Sequence, residues 1–308
     1  MRALVVDPAV PGEVRLAEVA EPAAGPHQVL VEVHHASLNY GDLNDARSGR
    51  VPPGAVLGSD AAGVVLRAGD RGPVPGSRVV ALASGAFAER VAVDASSLAE
   101  VPPTVDLAQA AALPVAGVAA LRALRAAGPL LGRRVLVTGA SGGVGRFAVR
   151  LASIAGAHVI AAVGSAVRGE GLDKAGADEV VVGLGGIDRP VDVVLESVGG
   201  SQLVAAWQLL APGGSLQSIG WTSGEPAIFP PYSTIGPPKS LTSFLIDSVV
   251  AAELDTLVRL VEKGDLPVEV GWRGPLDRFA DAAGALRDRR VKGKAILDVI
   301  RTQNGFVP

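Results

Sequence analysis

One stretch near the middle of the chain constrains its fold more than any other: RRVLVTGASGGVGRFAVRLASIAGAHVIAAV, residues 133–163. An all-apolar strand (Val135 to Thr138) enters a glycine-rich loop, a helix follows over Gly143 to Ala155, and a second apolar strand runs from His158 to Val163. The rhythm continues with a short helix at Gly169 to Ala175, strands at EVVV and VDVVLES, a helix at Gln202 to Leu210, and a strand at SLQSIG. After a proline-rich loop, LTSFL adds a sixth strand. Continuous apolar strands alternating with helices are buried on both faces, which means a parallel sheet wound on both sides by helices.

The loop Gly139-Ala-Ser-Gly142-Gly143-Val144-Gly145 carries the sharpest chemistry. In a dinucleotide site one glycine permits a tight turn, a second lets backbone N–H groups reach a pyrophosphate, and a third lets helix and strand pack closely. Gly142 and Gly145 hold the second and third roles, and Ala140 stands where the commonest fingerprint has its first glycine. The unpaired N–H groups and positive dipole end of the next helix suit a diphosphate. Thr138, Ser141 and Arg146 flank the loop, each equally suited to capping or to solvent.

The second strand decides between cofactors. About twenty residues past the glycines, an NAD site presents Asp or Glu to the ribose 2′-hydroxyl. This chain has Ala162-Val163-Gly164 there, followed by Ser165 and Arg168. Without a carboxylate nothing repels a 2′-phosphate. Ser165 can donate a hydrogen bond to it and Arg168 a charge-assisted one. NADPH is the expected cofactor.

A chain of 308 residues exceeds what one core usually supports. The first hundred residues read as short strands (VLVEVHH, RVVAL, ERVAVD) broken by Gly and Pro, the pattern of a small, partly open barrel. A helix follows, with Asp106 and Gln109 at capping-box spacing and Gly128-Pro129 as its stop. The helix bearing Val250, Leu254, Leu257, Val258 and Val261 stops at Gly264 and is assigned to the nucleotide domain. The amphipathic PLDRFADAAGALRDRR and the strand KAILDVI are expected to return to the first domain. The expected division is 1–119 with 265–308, and 120–264.

A net charge of −3 argues against a nucleic-acid partner. The absence of cysteine rules out disulfides and thiolate metal ligands and fits a cytoplasmic protein. The longest apolar region is broken by Pro114 and Arg122, so no membrane span is expected. His34 and His35 are adjacent on a strand and point to opposite faces. The expected metal content is none.

Eight segments in order, SLNYGDLNDARSG, VLGSDAAGVV, GAFAERVAVD, AAALPVAGVAALRAL, VLVTGASGGVG, VDVVLESVGG, LLAPGGSLQSIG and KGKAIL, resemble the medium-chain dehydrogenase/reductase superfamily. The similarity is to its zinc-free quinone oxidoreductase branch, which includes related enoyl and enone reductases. The resemblance covers essentially the whole chain. It implies an α/β fold, with a Rossmann-type doubly wound parallel sheet plus a discontinuous, GroES-like, mostly β catalytic domain.

Zinc-dependent relatives hold their metal with a cysteine on the first segment and a histidine on the second, where this chain has Asn39 and Ser59, then Asp60. Neither is a good zinc donor. Without a Lewis acid, hydride delivery to a quinone or a conjugated carbonyl is the reaction that needs least help. Asn39, Tyr40 and Arg47 are placed near the substrate oxygen, and Asp42 resembles an acid of the family that can instead order the loop. The resemblance places Ser197-Val198-Gly199 and Ile219-Gly220-Trp221 along the ribose and nicotinamide, Phe244 and Leu245 near the carboxamide, and Lys294 as the lysine of a closing Gly-Lys. It implies a homodimer through the edge at KSLTSFL. Substrate would meet Leu43, Asn44, Val51 and Phe229.

The chain departs from the family in three places. Arg50-Val51 follows Gly49 where some enoyl reductases have a proton-donating tyrosine, Ala119 replaces a threonine, and Val182-Gly183 replaces an Asn-Tyr. The proton donor therefore stays open between Tyr40, Tyr232 and solvent. Two rival functions stand beside the general reductase: a pathway-specific enoyl or enone reductase, as in polyketide metabolism, and a cofactor-binding protein without turnover.

Overall fold

The computed structural model describes residues 1–70 and 72–300. The chain forms two compact units, one from Met1–Val118 together with the segment beginning at Asp247, the other Ala119–Ile246. Residues 301–308, part of the expected 265–308 segment, lie outside the described residues.

The second unit holds one six-stranded sheet. In spatial order its strands are Glu179–Val182, His158–Val163, Arg134–Val137, Val191–Glu196, Leu210–Ser218 and Ser240–Ser243, all parallel. Chain order runs outward in both directions from Arg134–Val137, so the sheet reverses between that strand and Val191–Glu196. Crevices at such a reversal are where open α/β sheets bind ligands. Val135, Leu136, Ile160, Val193 and Val194 are fully buried, as strands covered on both faces require. Leu203 and Trp207 of the helix Gly200–Leu209 pack on this core with Leu216.

Two local expectations in this unit change. The helix expected over Gly169 to Ala175 is instead a single short turn at Ala166–Gly169. Glycines with positive φ at 171 and 176 let the following chain turn rather than coil. The APGG turn is absorbed into the strand Leu210–Ser218, whose register with Val191–Glu196 shifts between Val191 and Val193.

The first unit is built on a mostly antiparallel sheet. Its long strand Gln28–Leu38 pairs with Asp60–Arg67 on one side. The other side is shared: Arg90–Asp94 takes residues 28–32 and Lys294–Asp298 takes residues 35–38. Arg78–Leu82 and Leu98–Glu100 extend the sheet beyond Asp60–Arg67, and Val270–Pro275 joins Lys294–Asp298 in parallel. Phe87 and Phe279 meet in the core with ring centroids 6.0 Å apart, tying the tail helix Phe279–Arg287 to the sheet.

The helix Ala251–Glu262, expected to close the nucleotide domain, belongs to the first unit. Its apolar face (Leu254, Leu257, Val258) is buried, and Leu257 lies against Gly117 of a π-helical turn at Leu113–Gly117. Val250 N–H donates to Ser96 O across 3.0 Å, fixing the entry to the helix. A hydrophobic stripe fixes which face of a helix is buried and says nothing of what covers it. Among the described residues no helix is long and apolar enough to cross a membrane.

Candidate active site

Asn39 stands between the end of the strand Gln28–Leu38 and the helix Tyr40–Arg47. Its backbone N–H donates to Asp42 Oδ2 across 2.7 Å, so the acid caps the start of its own helix. This leaves the Asn39 side chain to reach elsewhere. Its Nδ2 donates to Asp60 Oδ2 at 2.9 Å, and its Oδ1 accepts from Lys294 Nζ at 2.5 Å. Lys294 Nζ also lies 3.3 Å from Asp60 Oδ2, and Asp60 Oδ1 accepts Val115 N–H at 2.8 Å. Ser59 Oγ lies 3.0 Å from Asp42 Oδ1.

Asp42, Asp60 and Lys294 are almost wholly buried, so two carboxyls and one ammonium lie together in a low-dielectric setting. Burial, with the charge of Asp60 beside it, pushes Asp42 up to about 7. Burial also raises Asp60, against the pull of Lys294, Asn39 and the Val115 amide. Asp60 touches the ammonium and Asp42 does not. The negative charge therefore belongs on Asp60 and the proton on Asp42.

This cluster does not fit a zinc ion. Both polar atoms of the Asn39 amide are taken up by Asp60 and Lys294, the Ser59 hydroxyl bonds Asp42, and an ammonium lies at the centre. An amide and a hydroxyl beside an ammonium are poor company for a cation that favours thiolate and imidazole. Among the described residues no three His, Asp or Glu side chains gather in metal-ligating geometry.

Of the other residues singled out in this unit, Tyr40 opens the helix half-buried, and Arg47 lies exposed with Nε 3.9 Å from Glu13 Oε2. Leu43, expected to meet substrate, is a core residue at 3% exposure. Asn44 is exposed and Val51 packs on the core edge. Lys294, expected along the cofactor, sits in the Asn39 cluster because its strand pairs Ala295 with Leu38.

In the second unit the strand Arg134–Val137 ends at Thr138, and the glycine loop follows. Gly139 has φ +58° and makes the tight turn, so Ala140 beside it does not need to be glycine. A Cβ on Gly145 would fall 2.4 Å from Gly139 O and 2.6 Å from Ala140 Cα. Only glycine lets the first turn of Gly143–Ile154 approach the loop so closely. Gly142, just before that helix, would place a Cβ 3.3 Å from Gly139 O. The cradle has the form that a diphosphate on a helix N-terminus requires.

Across this loop Arg168 Nε donates to Ser141 Oγ at 3.0 Å, and Arg146 Nη2 donates to Glu170 O at 3.2 Å. Ser165 precedes the short turn carrying Arg168, and Gly164 beside it is exposed with open space around its Cα. Val144, in the first helical turn, is half-buried. The structure thus brings Ser141, Gly142, Gly143, Val144, Gly145, Gly164, Ser165 and Arg168 to adjoining ends of two neighbouring strands.

On the other side of the reversal the turn Ser197-Val198-Gly199 packs against Gly139. Its three amides point inward: Ser197 N–H to Thr138 Oγ1 at 3.0 Å, Val198 N–H to Glu196 Oε1 at 3.0 Å, and Gly199 N–H to Glu196 Oε2 at 2.9 Å. Thr138 Oγ1 donates to Glu196 Oε1 at 3.0 Å. Ile219 N–H donates to Glu196 O at 2.8 Å, and Gly220 lies close under Ser197 O. The Trp221 ring covers the Cα of Gly199. Phe244 and Leu245 follow the edge strand Ser240–Ser243, three strands along from Arg134–Val137, and Leu245 is 86% exposed. Glu196 was not among the residues expected here, although an acid closing a strand apolar but for Asp192 was a visible signal.

The family "Alcohol dehydrogenase GroES-like domain" matches residues 25–103, and the family "Zinc-binding dehydrogenase" matches residues 170–297. A spectinabilin polyketide synthase system protein of Streptomyces orinoci is 40% identical over 220 residues, 67% of this chain and 10% of its own length. The chain thus spans about a tenth of the length of that relative. The quinone oxidoreductase of Mus musculus is 29% identical over 86% of this chain and 87% of its own. The Escherichia coli quinone oxidoreductase complexed with NADPH superposes with a TM-score of 0.87 at 25% identity, covering 97% of this chain and 100% of that one. With these likenesses running through both units, the chain belongs to the medium-chain dehydrogenase/reductase superfamily, in its zinc-free quinone oxidoreductase branch.

Proposed function

We propose that the chain is an NADPH-dependent reductase that delivers hydride to a quinone or to an α,β-unsaturated carbonyl compound. The observation that carries this reading is the Arg168–Ser141 pair at the end of His158–Val163, where no acid stands to meet a ribose hydroxyl. A guanidinium anchored there favours a cofactor with a 2′-phosphate. The NADPH complex of the E. coli relative supports the same choice.

The dinucleotide, when bound, supplies the hydride. The first turn of Gly143–Ile154 would hold its pyrophosphate with backbone N–H groups, and Gly145 keeps that turn against the strand. In the first unit burial pushes the Asp42 carboxyl up to about 7, so it takes up a proton as pH falls through neutrality. Its Oδ2 accepts the Asn39 amide and its Oδ1 accepts the Ser59 hydroxyl. Lys294 and Asp60 hold the Asn39 amide group in one orientation.

A narrower reading, reduction of an enoyl or enone intermediate of polyketide type, draws its support from the 40% identity to the Streptomyces protein, against 29% for the mouse quinone oxidoreductase. Anaerobic oxidation of NADPH, with NADH in parallel, against an ortho-quinone, a para-quinone, a cyclic enone and an enoyl thioester tests both readings. NADPH-selective turnover of the thioester or enone supports the narrower one, and turnover of quinones alone the broader. Equal use of NADH overturns the cofactor assignment. We also infer a homodimer formed through the open edge at Ser240–Ser243.

A further inference from the structure

Glu196 is a buried carboxylate that the proposed reaction does not use. It ends the strand Val191–Glu196 at the reversal of the sheet, beside Thr138 at the end of Arg134–Val137. Its side chain is 0% exposed. Among the described residues every group that bonds it is a neutral donor: the hydroxyl of Thr138 and the amides of Val198 and Gly199. The Thr138 hydroxyl accepts the Ser197 amide, so its own proton is free to point at Glu196. The carboxyl group accepts three hydrogen bonds and donates none, which is the pattern of an ionised acid. Burial pushes it above the ordinary carboxylate range and the three donors pull it back.

Two consequences follow. First, all three amides of the turn face Glu196 and Thr138, while Ser197 O and Val198 O accept from Thr222 and Ser223. The turn is therefore a rigid wall presenting side chains, held by one carboxylate to the residue that opens the glycine loop. Second, among the described residues this negative charge is paired with no cation, and it lies where the sheet reverses. Nicotinamide is positively charged when oxidised and neutral when reduced, so such a charge favours the oxidised form.

We propose that Glu196 is a positioning residue that clamps the Ser197–Gly199 turn to the glycine loop and, through its buried charge, biases the crevice toward the oxidised dinucleotide. The proposal rests on the reading of this unit as a nicotinamide-dinucleotide site. Three proteins are compared, wild type, Glu196→Gln and Thr138→Val, with dissociation constants for NADP⁺ and NADPH measured by fluorescence titration and calorimetry.

Glutamine places an NH₂ group against donors, so Glu196→Gln is expected to weaken both forms about tenfold or more. It should weaken NADP⁺ at least about threefold further than NADPH. Thr138→Val loosens the turn but keeps the charge, so it should weaken both forms by the same factor. Equal weakening of the two forms by Glu196→Gln, or none, overturns the proposal. Absence of dinucleotide binding in the wild type overturns the cofactor reading beneath it. Should Glu196→Gln not fold, hydrogen exchange on the wild type decides the clamp. Protected amides at Ser197, Val198 and Gly199 before any cofactor is added support it, and free exchange there sinks it.

Discussion

Lys294 Nζ lies 2.5 Å from Asn39 Oδ1, joining side chains 255 positions apart. The contact exists because the last strand of the first unit, Lys294–Asp298, returns to pair with the end of Gln28–Leu38. The loop that begins at Asn39 is thus oriented by the tail of the chain. The ammonium that orients it also neutralises Asp60, which is 0% exposed.

Removing that ammonium strands a buried charge. Lys294→Met is expected to cost about 3–5 kcal/mol, the scale for breaking a buried pair by deleting one partner. The double variant Lys294→Met/Asp60→Asn should recover most of the loss, since no unpaired charge is then left. Urea unfolding of the two proteins checks this. A double variant as unstable as the single one would mean that packing, not charge, is what Lys294 provides.

Asp42 gives the first unit a pH dependence of definite sign. Its carboxyl sits at about 7 in the folded protein against an ordinary 3.8, so the fold prefers the protonated form. That contribution is present in full below the ordinary value and is lost as pH rises through 7. Asp42→Asn keeps an oxygen for the Asn39 amide and carries no titrating proton. Relative to this variant the wild type should lose on the order of 4 kcal/mol between pH 4 and pH 8. Denaturant titrations at several pH values measure it, and parallel curves for the two proteins would rule the assignment out.

The alternating sheet and its glycine loop were legible because the central strands are apolar on both faces and the glycines fall between a buried strand and a helix. Asn39 and Asp42 were legible by resemblance. Their partners were not, because Asp60, Val115 and Lys294 come from three distant segments whose meeting depends on strand register, and register is not written in any local pattern. Ala251–Glu262 misled for a related reason: its stripe matches either unit, and only packing against Gly117 decides.

Gly145 tests the cradle. A methyl group there meets backbone atoms at 2.4 and 2.6 Å, which cannot swing aside as a side chain does. Gly145→Ala should therefore abolish dinucleotide binding while leaving the first unit folded. Gly284→Ala, in the helix Phe279–Arg287 where a Cβ meets nothing within 4 Å, should instead raise stability by up to about 1 kcal/mol. Titration with NADPH and thermal melting of both variants distinguish the two effects. Unimpaired binding by Gly145→Ala would mean that the cofactor lies elsewhere.

Arg168 tests the choice between cofactors. Losing its charge-assisted contact to a phosphate should weaken NADPH by about 1–3 kcal/mol, a factor of roughly 5 to 150, with NADH changed little. Ser141→Ala, which removes the hydroxyl that anchors Arg168 Nε, should show the same selectivity on a smaller scale. Equal loss of both cofactors in Arg168→Ala would make the residue a structural tie between the loops.

The edge strand Ser240–Ser243 pairs with Leu210–Ser218 on one side only, and all four of its residues are exposed. An unprotected edge is a template for another strand, and monomeric proteins usually blunt one with charge, proline or a bulge. Here the strand itself has no charge and no proline, and Leu241 stands 44% exposed on it, with Leu245 just beyond. Pairing with a second copy would satisfy the free backbone groups and cover both leucines. Leu241→Lys should therefore shift the protein from dimer to monomer in light scattering at micromolar concentration. Val74→Lys, at a residue 70% exposed in the first unit, should leave the mass unchanged. A wild type that is monomeric at high concentration, or a Leu241→Lys protein that remains a dimer, would place the interface away from this edge.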